Sequence, residues 1–82
     1  MDKSELRLYY KNQEDLSYAL REYIDYYFEG NIEDEKLEAN IIKVIKGNED
    51  KFYKNNEVAK KPKQILGKSR LDLIEKILNK KK

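Results

Sequence analysis

Glu22, Asp25 and Glu29 stand at i, i+3 and i+7, a spacing that puts three carboxylates on one face of a helix. Such a set can hold a hard cation or share acid–base work. The carboxylate metal sites of helical bundles pair Glu with His and point inward, and this chain has no histidine. The three carboxylates therefore read as a solvated outer face, and no metal or cofactor is expected. The serines, Ser4, Ser17 and Ser69, have no imidazole to activate them, and there is no cysteine to act as a thiol nucleophile. Gly30, Gly47 and Gly67 are scattered at apparent helix ends and form no phosphate-cradling loop. The expectation is a protein that is not an enzyme, with Lys and Tyr the only remaining acid–base candidates.

The second chemistry in reach is recognition of phosphate. Residues 1–59 carry 9 basic and 14 acidic side chains, a net of −5, whereas residues 60–82 carry 9 basic and 2 acidic, a net of +7. A basic segment can meet nucleic acid or an anionic surface. The composition is also rich in Lys, Asn, Ile, Tyr and Glu, so a plain solvated lysine surface is the competing reading. Residues 62–79 have the spacing of a helix-turn-helix: a short helix from Pro62 to Leu66, a turn at Gly67-Lys68-Ser69, and a helix from Arg70 to Asn79. Lys61, Lys63, Gln64, Lys68 and Arg70 are the candidate nucleic-acid contacts, the cations for phosphate and Gln64 and Arg70 for base edges. Against this unit, Asp72 and Glu75 fall on the exposed side of its second helix and would face phosphates.

The elements that position these groups follow from periodicity. Leu16, Leu20, Tyr23, Ile24, Tyr27 and Phe28 mark one stripe of a helix from Gln13 to Glu29, with Asn12 as N-cap, Glu14 and Asp15 in the first turn and Gly30 as the stop. Tyr18 lies on its opposite, acidic face and is a candidate protein contact, since tyrosine is enriched in interfaces. Asn31 opens a second helix, about Glu33 to Lys46, with Leu37, Ile41, Val44 and Ile45 inward. The short link predicts an antiparallel hairpin of these two helices. Asn48 can cap a short helix through Phe52 and Tyr53, residues 54–61 read as a loop with turn chemistry at Asn55-Asn56, and Ser69 with Asp72 reads as a capping box. Before the first helix, Leu6, Leu8 and Tyr10 alternate and predict an extended arm packed across the helices, a helical extension being the alternative.

The whole is expected to be one all-α domain over residues 1–82: an arm at 1–11, two long helices in a hairpin, one or two short helices, a C-terminal helix and a frayed basic tail at 80–82. The core set is Leu16, Leu20, Tyr23, Ile24, Tyr27, Phe28, Leu37, Ile41, Val44, Ile45, Phe52, Leu71, Ile74 and Leu78. No apolar run is long enough to span a membrane and the N-terminus lacks a signal-peptide core, so a cytoplasmic protein is expected.

Tyr10-Lys11-Asn12-Gln13, the tyrosine-rich helix, the acidic start of the next, and Lys63-Gln64-Ile65-Leu66-Gly67-Lys68-Ser69-Arg70-Leu71 together resemble a family of small uncharacterised proteins of Gram-positive bacteria. The resemblance covers most of the chain and implies a complete protein; it transfers neither a function nor catalytic residues. Two readings follow: a helical protein-interaction module with a protein partner or a second copy of itself, or a small DNA-associated regulator.

Overall fold

The computed structural model of the protein describes residues 6–80. It is mostly helical: α1 (Gln13–Phe28), α2 (Asp34–Gly47), α3 (Glu49–Phe52), β1 (Tyr53–Lys54), β2 (Glu57–Val58) and α4 (Lys60–Lys80). No described helix is long and apolar enough to cross a membrane.

Local chemistry explains the ends of α1. The Asn12 side chain accepts from the Asp15 amide at 2.8 Å, satisfying a donor that the first turn leaves free. At the other end Gly30 has φ 87°, its amide donates to the Tyr27 carbonyl, and the Asn31 amide reaches back to the Tyr26 carbonyl. That pair of bonds is a Schellman stop, and the left-handed turn favours glycine. The α2 helix starts later than Asn31 suggests. Glu33 is the extended residue before it, and Asp34 and Glu35 supply the favourable charge on its first turn.

The core lies among the helices, with α1 packed chiefly on α4. Leu16, Leu20, Tyr23 and Ile24 of α1 meet Leu37, Ile41, Val44 and Ile45 of α2, Phe52 of α3, and Leu66, Leu71, Ile74 and Ile77 of α4. Each such side chain contributes about 1.5–3 kcal/mol by leaving water. Three expected core residues are displaced. Phe28 is 55% exposed. It stands twelve residues from Leu16, and at ~100° per residue it has drifted ~120° around the helix. Tyr27 and Leu78 are only half-buried, and the Tyr27 hydroxyl donates to Asp34 Oδ1 at 2.7 Å. In their place Ile32, Ala59, Leu66 and Ile77 are buried.

Residues 54–61 are not a loop. Tyr53 pairs with Val58 and Lys54 with Glu57 in a two-stranded antiparallel hairpin. Asn55 and Asn56 have φ of 55° and 67°, as a two-residue type I′ turn requires. Strands of two residues carry no visible alternation, so only the Asn pair signals them. The next helix begins at Lys60 rather than Pro62. Pro62 falls in the first turn, where its missing N–H has no helical acceptor to lose.

Within α4 only Gly67 leaves helical geometry, at φ 77° and ψ 171°, a region open essentially to glycine. The break is a single residue between a first arm, 60–66, and a second arm, 68–80. The three-residue turn of a helix-turn-helix is absent, and Ser69 lies inside the second arm instead of capping it. Lys80 is helical and pairs with Glu38 at 3.1 Å, so it is not frayed; Lys81 and Lys82 lie outside the described residues, as do residues 1–5 of the arm.

The rest of the arm forms no regular secondary structure. Leu6 and Tyr10 pack on the core, whereas Leu8 faces out. Asn48 holds this segment. It forms no side-chain cap on α3; its fully buried amide accepts from the Tyr10 N–H at 3.0 Å and donates to the carbonyls of Leu8 and Val44, each at 2.8 Å. Gly47 allows this approach, because a Cβ there would lie 2.9 Å from the Leu8 oxygen.

Candidate functional site

The basic residues singled out by sequence have different surroundings. Lys61 and Glu14 approach to 3.4 Å at the surface. Lys63 and Gln64 are exposed on the first arm of α4, and Lys68 is exposed at the start of the second. Arg70 is committed elsewhere. Its Nε donates to Asp25 Oδ1 at 2.8 Å and its Nη2 to Oδ2 at 2.9 Å, while Nη1 donates to the Leu66 carbonyl at 2.9 Å, across the Gly67 break. A planar guanidinium gripping a carboxylate on α1 and the carbonyl before the kink fixes the bend of α4 on α1. A free Arg70 facing nucleic acid is thus corrected to a half-buried staple. The same bond engages Asp25, which still lines a shallow acidic hollow with Glu22, Tyr26 and Glu29. Among the described residues no cluster of metal-ligating side chains is present.

Tyr18 is 51% exposed on the outer face of α1, as its place on the helix predicts. Phe28 at the end of the same helix, and Leu8 and Tyr9 of the arm, are also exposed. Among the described residues these are the large apolar side chains that the fold leaves exposed.

The structure adds a cleft that sequence did not indicate. The α3–hairpin unit leans against the second arm of α4 and encloses about 310 Å³. Phe52, Leu71 and Ile74 form its floor, Tyr53, Val58 and Leu78 its walls, and Asn56, Glu57, Lys63 and Glu75 its rim. That size sits at the lower end of ligand-binding clefts, ~300–1,000 Å³. Tyr53 stands edge-on to Phe52, ring centres 5.0 Å apart. Its hydroxyl titrates above the ordinary tyrosine range, first because it is half-buried and then because Glu49 and Glu75 oppose a phenolate. Tyr10 and Tyr23 are pushed up chiefly by burial, and Tyr27 chiefly by its hydrogen bond to Asp34. These shifts carry the phenols away from neutrality, so they hold their protons at pH 7. The one sequence signal for the cleft was Asn55-Asn56 between Tyr53 and Val58. It specifies a hairpin, and the hairpin forms the cleft wall.

A family model described as a conserved hypothetical protein matches residues 7–79. No curated protein and no solved structure matches the chain.

Proposed function

The chain belongs to that conserved hypothetical protein family, and from this premise we propose that it is a non-enzymatic helical protein-interaction module. The observation that carries the reading is the outer face of α1. Its inner stripe is spent on the core, yet Tyr18 and Phe28 stand half in water on a helix otherwise solvated by charge. Large aromatic side chains bury much area at low entropic cost and are enriched at interfaces. The partner is a second copy or another protein, in a cytoplasmic setting and in Gram-positive bacteria. Sedimentation velocity across a wide concentration range tests the homodimer form: association that weakens on Tyr18→Ala with Phe28→Ala supports it, and a strict monomer refutes it. For the heteromeric form, a photo-crosslinking residue at position 18 should capture a partner that the same residue at Lys43, exposed on α2, does not; equal capture at both positions refutes it.

The second reading, a small DNA-associated regulator, draws on the exposure of Lys61, Lys63, Gln64 and Lys68 on both sides of the Gly67 break in α4. It now lacks Arg70, and a one-residue break replaces the expected turn. Anisotropy of a labelled duplex at ~50 and ~200 mM salt tests it. A steep salt slope that flattens when Lys61, Lys63 and Lys68 are replaced together supports this reading, and absence of binding at the lower salt ends it.

A further inference from the structure

We propose that the cleft between the hairpin and the second arm of α4 is a peptide-docking site, taking one apolar side chain with an arginine or lysine set beside it from a partner protein. The inference rests on the interaction-module reading and names the partner's chemistry. The floor is apolar, from Phe52, Leu71 and Ile74. Its volume, about 310 Å³, suits an inserted side chain rather than a whole helix. The rim selects the flank. Glu57, Glu75 and Lys63 all line the cleft, and the adjoining hollow, which shares Tyr53 and Asn56, adds Glu49. Among the described residues none of these four charges lies within 4 Å of an opposite charge. With Lys54, which stands opposite Glu57 in the hairpin register, three carboxylates face two ammoniums and leave a net negative field around a partly desolvated apolar pit, where a cation on the partner gains most. An acidic flank would meet that field with the wrong sign. Asn56, held in the turn, offers a polar contact at the mouth that can orient the partner's backbone.

The test is selection of a random dodecapeptide phage library on the intact protein, counter-selected on the Glu57→Lys, Glu75→Lys double variant. Both glutamates are exposed, and circular dichroism checks that the variant keeps its helix content. Enriched peptides should carry a large apolar residue within three positions of Arg or Lys. They should bind the double variant roughly five- to tenfold more weakly, lose affinity as salt rises, and shift the backbone amides of residues 52–58 and 71–78 in NMR titration. Acid-flanked peptides, unchanged affinity for the double variant, amide shifts elsewhere, or no enrichment would each overturn the proposal. Peptides that depend on Tyr18 instead of the cleft would overturn it and leave the interaction-module reading standing. A protein that enriches nothing, sediments as a strict monomer and crosslinks alike from positions 18 and 43 would end both.

Discussion

Replacing Asn48 separates two accounts of the arm: a segment held by one buried amide, or a segment held only by Leu6 and Tyr10 on the core. Its Oδ1 faces an N–H and its Nδ2 faces two carbonyls, so the amide orientation follows from its partners. Asn48→Ala removes three hydrogen bonds, each worth ~0.5–1.5 kcal/mol net, and strands groups that cost ~1–3 kcal/mol if they stay dry. A loss of about 2–4 kcal/mol is expected, or roughly 10–30 °C in Tm for a domain of this size. Asn48→Asp should be worse at pH 7. The introduced carboxyl keeps the bond from Tyr10 but aims its second oxygen at two carbonyl oxygens in a site closed to water. Its folded pKa must then lie above the unfolded value of ~3.9. A raised carboxyl binds protons more tightly when folded, so the variant gains stability as pH falls toward the unfolded value and loses it as pH rises through the folded one. Urea unfolding followed by circular dichroism at several pH values reads this, with hydrogen exchange of the Tyr10 amide reporting the arm. A loss under 0.5 kcal/mol for Asn48→Ala, or an aspartate variant as stable as the parent at pH 7, would refute the clamp.

Gly67→Ala should cost about 1–3 kcal/mol by thermal unfolding: nothing lies within 4 Å of the new methyl, so the loss is backbone strain at φ 77° alone. Arg70→Ala and Asp25→Ala, taken through a double-mutant cycle, should show a coupling of ~1 kcal/mol that shrinks in salt, because the pair is forked but partly exposed. Arg70→Lys should recover only part of it. At high pH the protein should destabilise. Tyr10, Tyr23, Tyr27 and Tyr53 all have hydroxyls raised from 10.0, so the folded state favours the protonated form; that stability is present below pH 10 and lost as pH rises through the raised values. Phenolate absorbance recorded beside helix content should show the raised tyrosines titrating as the fold gives way.

The parts of the fold legible in sequence were those with a local cause. Asn12, Glu14 and Asp15 start α1 and Gly30 stops it through groups within a few residues of one another, and the stripes of α1 and α2 repeat often enough to be read. Whatever depended on distant partners was hidden. Arg70 has the residue type of a base reader, and only the fold places Asp25, 45 residues away in sequence, against it. Asn48 sits where a cap belongs, yet its amide is drawn to an arm about 40 residues upstream. Phe28 looked like part of the stripe by its i+4 spacing from Ile24, but the accumulated rotation from Leu16 carries it off the buried face. The cleft was invisible because two-residue strands leave no periodic trace and its two walls lie apart in the chain.

Because α1 rests chiefly on α4, the chain must wait for its last helix before its first can be covered. Fifty-two residues separate the end of α1 from the end of α4. At ~5–20 residues per second of synthesis, the stripe from Leu16 to Ile24 stays open for roughly 3–10 s after it is made. During that interval the arm, α2 and α3 are the elements at hand to shield it. The stripe on α1 is therefore fully covered only once the segment beyond Gly67 has been made and its apolar face can close over it.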